Sequence, residues 1–331
     1  MQFDDPRAPA TQLASNVVSL RSYSSRALDA YPSQRITLVV GGSPGAGVDI
    51  IARHIAMELE HELATKVQVE NRPGDSGNIA AEHVARCRPD GYTLFVSARP
   101  NVAYGALQAN PRYDLRRELQ PIGLMASAPS VVIAGKDALI TSARELATWA
   151  KDYPMSIRCA SGGVGSTGHL LCEEFQQEAN VELMHVPYIY ADQAFSHAIG
   201  GYVDTVFITL SAALPYLRAD AVQAIAVSGQ ERAPSAPTIP TFHEQGYVDL
   251  RGNAWYGLMA PIATRPEIAQ RLNTSLNRVL SRRQLREQLH GLGYILPSEL
   301  NSADALRQLI EEEAVHWADV GTDHWSPAPR H

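Results

Sequence analysis

Lysine is nearly missing: Lys66, Lys136 and Lys151 are the only three in 331 residues, so the basic charge is almost all arginine, and it is scattered. With a formal net charge of −7, the chain lacks the massed cations that a phosphate-binding surface requires, which excludes nucleic acid as a partner. Cysteine is scarce too. Cys87, Cys159 and Cys172 form no CxxC pair and no metal-ligand spacing, which excludes a disulfide-framed mini-domain and offers no zinc site. Cys159 and Cys172 leave two readings, a bridge in an oxidising compartment or two small core residues. No stretch reaches the ~20 apolar residues needed to span a membrane, so direct membrane insertion is excluded as well. Residues 1–30 show no apolar h-region and no visible secretory signal; few large apolar residues occur there, and the segment reads as a disordered leader before Tyr31.

What is present is an αβ rhythm. Ile36 to Val40 is a short run rich in β-branched residues, which reads as a buried parallel strand. The loop GGSPGAG (Gly41 to Gly47) follows, and Val48, Ile51, Ala52, Ile55, Leu59 and Leu63 then mark one face of a helix. Lys66 to Asn71 is a second strand, RPGDSGN (Arg72 to Asn78) a second glycine turn, and Tyr92 to Ala98 a third strand. Strand, loop, helix, strand in this order predicts right-handed βαβ units. The pattern restarts at Pro129 to Gly135. A helix over TSARELATWAKDY follows it, and SIRCASGGVGSTG then leads through a third glycine loop into HLLCEEFQQEA. Three more strands follow in VELMHVPY, DTVFITL and VQAIAVSG. NAWYGLMAP (Asn253 to Pro261) is strand-like, and helices at Pro266–Leu280, Arg283–Leu292 and Ala303–Val320 close the chain.

The three glycine loops sit where strands hand over to helices. Free N–H groups and the positive helix end favour an anion there, at the strand C-termini where open α/β folds collect ligands. Enzyme readings of the first loop fail locally. GGSPG matches a G-x-S-x-G nucleophile elbow, but the oxyanion hole needs the N–H of the next residue, and Pro44 has none. No G-x-G-x-x-G register fits, and no Lys-Ser/Thr pair completes a Walker A loop. The expectation is therefore no catalytic residue, no cofactor and no metal, with a serine hydrolase or other Gly-loop enzyme as the weaker alternative.

VENRPGDSGNIAAEHVARCRPDGYTL, CASGGVGSTGHLL, MHVPY, AIGGYVDTVF, PTIPTFHEQG and WYGLMAP, in this order, resemble the tripartite tricarboxylate transporter substrate-binding family, the Bug proteins. The resemblance runs from Tyr31 to Val320. It implies an α/β, two-lobed periplasmic-binding-protein-like (Venus flytrap) architecture with mainly parallel sheets. Lobe 1 would hold residues 31–128 plus 252–331, and lobe 2 residues 129–251. It also implies a periplasmic, monomeric receptor that closes on a small carboxylate solute and hands it to membrane transporter subunits. A sensor kinase is the alternative partner, and the cytoplasm the alternative location given the N-terminus.

Carried across, the family's contacts fall on Gly42, Ser43, Gly45 and Gly47 in the first loop and on Gly77 and Asn78 in the second. Ser97 at the end of the third strand and Arg99 and Asn101 after it make up another group. Ser161, Ser166, Thr167 and His169 come from the second half, joined by Tyr188, Tyr190 and Thr209. The pocket mouth departs from the family: Gly41-Gly42-Ser43-Pro44 replaces Pro-Phe-Pro-Pro, and VPYKG becomes VPYIY with Ile189 and Tyr190. Arg99 stands where relatives carry small residues. Its planar fork of donors matches a carboxylate, so Arg99 facing Tyr188 and Tyr190 predicts a carboxylate ligand with an apolar or aromatic body.

Overall fold

The computed structural model describes residues 31–108, 110–297 and 301–320; the leader expected over residues 1–30 lies outside them. Two five-stranded sheets carry the fold, ordered β2-β1-β3-β10-β4 and β7-β6-β8-β5-β9. The first comprises β1 (Ile36–Val40), β2 (Val67–Asn71), β3 (Thr93–Ala98), β4 (Leu119–Ala128) and β10 (Ala254–Pro261). The second takes β5 (Ser130–Gly135), β6 (Arg158–Ser161), β7 (Met184–Pro187), β8 (Thr205–Thr209) and β9 (Val222–Val227), all from the middle of the chain. The two orders are one plan used twice. Only one strand in each sheet runs against its neighbours: β10 is antiparallel to β3 and β4, and β5 to β8 and β9. Both are strands that arrive directly from the other sheet, β5 after β4 and β10 after β9.

Helices cover both faces of each sheet. Along β1, Ile36, Leu38 and Val40 join one core cluster and Val39 another; along β3, Leu94 and Val96 part from Phe95 in the same way. In the second sheet Val132, Cys159 and Phe207 face one core while Val131, Ile133, Ala160 and Val206 face the other. Burial on both faces is why these strands read as continuous apolar runs rather than alternating ones. Cys159 and Cys172 are both buried thiols, with their sulfurs 2.7 Å apart.

The helices that matter for the site are α1 (Gly47–Leu63), α2 (Asn78–Ala85) and α3 (Arg99–Leu107). Beyond α4 (Leu115–Glu118) and α5 (Ala143–Asp152) come α6 (Thr167–Ala179), α7 (Ala191–Ile199) and α8 (Leu210–Arg218). The chain ends in α9 (Pro266–Leu280), α10 (Arg283–Gly291) and α11 (Ala303–Val320), which return to the first sheet. Among the described residues no helix is long and apolar enough to cross a membrane.

Candidate functional site

A cavity of about 1540 Å³ lies between the two sheets' domains. It is lined from one side by the turns entering α1, α2 and α3, and from the other by those entering α6, α7 and α8. Every one of these turns sits at the C-terminal end of a strand, where the chain leaves a parallel array and the first N–H groups of a helix have no partner within it.

The first loop is held from behind by Asp49, which is buried one turn into α1. Its Oδ2 accepts the Gly45 N–H and the Arg53 Nε–H, each at 2.9 Å, and its Oδ1 accepts Asn71 Nδ2 at 2.8 Å. Asn71 also donates to the Gly42 carbonyl at 2.9 Å, so β2 and α1 grip the same loop. Burial alone would raise the Asp49 carboxyl, but the bonds from Arg53, Gly45 and Asn71 hold it below the usual range. Neither Asp49 nor Asn71 touches the cavity. The sequence signals Asp49 through its spacing of one helical turn from Arg53.

Close approach explains the glycines. A Cβ on Gly41 would sit 2.2 Å from the Gly77 Cα, which seats the first two loops against each other. On Gly47 it would lie 2.6 Å from the Tyr256 hydroxyl and 3.1 Å from Thr209 Oγ1, across the domain junction. The caps of α1 and α2, Ala46 and Gly77, carry no side-chain oxygen and make no side-chain cap bond. The Asp49 N–H turns back to the Ala46 carbonyl and the Asn78 N–H to the Asp75 carbonyl, and the other first-turn N–H groups have no cap side chain to accept them, which suits an external acceptor. In the second domain Ser166 caps α6 through the His169 N–H at 3.3 Å.

Most of the expected residues line this cavity, but Ser97, Arg99, Ser161 and His169 do not. Ser97 is turned by strand parity to the Phe95 face and donates to the Gly257 carbonyl at 3.0 Å. Ser161 shares a 2.7 Å hydrogen bond with His185 Nε2. His169 Nδ1 accepts the Gly165 N–H at 2.9 Å, and its ring stacks 4.0 Å from that of His185. These two residues shape the third glycine loop from behind.

Arg99 is the substantial correction. No loop follows β3; α3 starts at Arg99 itself, and the side chain is 0% exposed. Its Nη2 donates to Glu174 of α6 at 2.5 Å and its Nε to Glu313 of α11 at 3.0 Å, with the guanidinium 4.9 Å from the Trp317 ring centre. The fork does meet carboxylates, but they belong to the protein.

Sequence reasoning missed Tyr104, Phe195, Ser211, Tyr216 and Tyr256, all of which line the cavity. Phe195 and Tyr216 stack at 3.9 Å with a 14° tilt. Tyr188 is fixed by a 2.7 Å bond between its hydroxyl and His197 Nδ1. Tyr256 lies in β10, whose buried apolar run gave no sign that its hydroxyl reaches the cavity.

His185 gives the site a pH dependence. Burial, and then the neighbouring His169, lowers its imidazole from about 6.5 to about 3. The unfolded chain therefore takes up a proton near 6.5 that the folded chain refuses until about 3. Stability from this group is fully present above the unfolded value and is lost as pH falls through that window. Between pH 7 and 5, thermal or denaturant unfolding is expected to show a slope approaching ~1.4 kcal/mol per pH unit, flattened in His185→Gln. An unchanged slope in that variant would locate the titration elsewhere.

The family model described as "Tripartite tricarboxylate transporter family receptor" matches residues 51–322. MatC of Rhodopseudomonas palustris, solved with bound malate, is 30% identical with a TM-score of 0.82, covering 88% of this chain and 99% of that one. A second R. palustris protein, Rpa4515, solved with adipate, is 29% identical with a TM-score of 0.82, covering 88% and 97%. The periplasmic binding protein BugD is 28% identical with a TM-score of 0.81, covering 88% and 97%. A family model spanning most of the chain, and a two-sheet fold shared with these receptors over nearly its whole described length, lead to one assignment: this chain belongs to the tripartite tricarboxylate transporter receptor family, the Bug proteins, and is a solute-binding protein.

Proposed function

We propose that the protein captures a carboxylate-bearing solute with an apolar or aromatic body in the periplasm and delivers it to the membrane subunits of a tripartite tricarboxylate-type transporter. The observation that carries this is the pairing of helix N-termini with an apolar wall in one cavity. The α1 and α2 ends, whose caps offer no side-chain oxygen, and the hydroxyls of Ser166, Thr167, Thr209 and Ser211 suit a carboxylate without any buried cation. Phe195, Tyr216 and Tyr188 suit the rest of the ligand, and at the rim Ile189 is 75% and Tyr190 51% exposed. Large apolar groups left in water beside a cleft gain when a ligand covers them. The malate and adipate held by the two R. palustris relatives support the carboxylate half of this reading.

We place the lobe limits at residues 31–128 with 252–320 and at 129–251, with Pro129 and the stretch before β10 as the crossings; residues 321–331, expected in the first lobe, lie outside the described residues. Uptake is preferred to signalling because the family is that of a transporter's receptor.

A thermal-shift series with malate, adipate and phenylacetate, each beside its amide, tests the reading. Binding to the folded state at a hundredfold excess over Kd adds about 2.7 kcal/mol of stability. Adipate or phenylacetate is expected to raise Tm more than malate, and the amides not at all. A malate shift larger than both would reject the apolar body, and equal shifts from acid and amide would reject the carboxylate anchor.

A further inference from the structure

The Arg99 cluster joins the two domains outside the cavity. Arg99 and the apolar Ala103 and Leu107 belong to α3, and Glu313, His316 and Trp317 to α11. Glu174 and Leu170 come from α6 in the other domain. Leu170 closes an apolar cluster with Ala103, Leu107 and Trp317, while Glu174 meets both Arg99 and His316, the latter at 3.0 Å. The residues flanking Arg99, Ala98 and Pro100, line the cavity, as does Thr167 two turns up α6 from Glu174. The cluster is therefore one wall away from the ligand and on the same helices.

We propose that Arg99 is a positioning residue that sets the balance between open and closed lobes, with Glu174 as its exchangeable partner and Glu313 as its resident one. When the domains part, α6 carries Glu174 into water, and Arg99 stays neutralised by Glu313 on its own side. On closure one guanidinium is shared by two buried carboxylates. Burial would raise the Glu174 carboxyl, but Arg99, followed by His316, holds it below its ordinary range, so it enters the junction charged. Glu313 thus competes with Glu174 for the same cation and repels it, and the closed form is held less tightly than an undivided pair would hold it.

This arrangement makes opposite predictions for the two ends of the cluster. Glu313→Gln keeps an acceptor for Trp317 but removes the resident charge, so Arg99 has a full counter-charge only across the junction; closure is favoured. Arg99→Met leaves two carboxylates facing each other; opening is favoured. Arg99→Lys keeps the charge without the fork and lies between wild type and Arg99→Met.

The experiment uses the full chain without ligand, labelled at Tyr153→Cys and Arg283→Cys in a Cys87→Ser background, with lobe separation read by single-molecule energy transfer. Both label sites are exposed, and the remaining cysteines are buried. Glu313→Gln is expected to raise the closed-to-open ratio about tenfold and Arg99→Met to lower it by a similar factor. Should Arg99→Met not fold, Glu313→Gln against Arg99→Lys decides the matter. A role confined to folding the first domain would leave the ratio unmoved or shift both variants the same way, and either result overturns the proposal. No ligand enters the measurement, so its outcome is independent of the solute's chemistry.

Discussion

Replacing Arg99 by alanine is expected to cost about 3–5 kcal/mol of folding stability, the range for removing one partner of a buried ion pair. Glu174 and Glu313 would be left close together at a junction where Glu174 is only 4% exposed and Glu313 11% along the side chain. Two carboxylates in low dielectric without their cation must take up a proton, admit water or separate. The lost contact with the Trp317 ring adds a smaller term. Denaturant unfolding of Arg99→Ala checks this directly. Arg99→Ala combined with Glu174→Gln and Glu313→Gln should recover much of the loss, because the penalty lies in the orphaned charges. A ligand-only role would instead leave the midpoint unchanged and weaken binding alone. Recovery in the triple variant separates charge from packing.

Arg99 also marks where the sequence ceased to be legible. That a cationic fork would stand at the end of β3 followed from the residue order. Its direction did not, because its partners lie 75 and 214 positions away and α3 begins with no intervening loop. The core strands were readable for a local reason: both faces are buried, so β1, β3 and β5 are dominated by apolar residues on both parities, with only Thr37, Thr93, Ser97 and Ser130 as hydroxyl-bearing exceptions. β4 carries no clear strand signal, because Pro121 and Gly123 interrupt LQPIGLMASA. The structure tolerates them on an edge strand, at a register shift where Gly123 and Pro121 face Leu258 and Met259 of β10. There the Asn301 side chain, donating to the Leu124 carbonyl at 2.5 Å and accepting its N–H at 2.8 Å, takes the place of a missing neighbour.

The glycine loops were legible as ligand-facing turns because glycine is required there by contact. Tyr256 and Phe195 were hidden because a buried aromatic in a strand or helix looks the same whether its far side meets core or cavity. Ser161 and His169 were placed in the right loop but on its wrong side. The loop's position follows from the strand-to-helix order, whereas the facing of each side chain follows from His185 and Gly165, which only the folded chain brings alongside.

The same contact argument gives the other large effect, at Gly168 on the first turn of α6. A Cβ there would stand 2.0 Å from the Phe207 carbonyl oxygen and 2.7 Å from its carbonyl carbon. Both atoms are backbone, in β8 at the centre of the second sheet, so no side chain can swing aside. Gly168→Ala must push α6 away from the sheet, breaking the packing of Leu171, Cys172 and Phe175 beneath it. A loss of about 3 kcal/mol or more is expected, at the upper end for overpacking. The shift would also carry Ser166 and Thr167 from the cavity wall, so ligand affinity should fall even where the variant stays folded. Gly105 in α3 is the control, since a Cβ there meets nothing within 4 Å. Gly105→Ala should raise stability by about 0.5–1 kcal/mol, through helix propensity alone. Parallel unfolding curves for the two variants make the comparison. Equal midpoints would mean that the seat of α6 on β8 yields, and that the third glycine loop is not fixed by this contact.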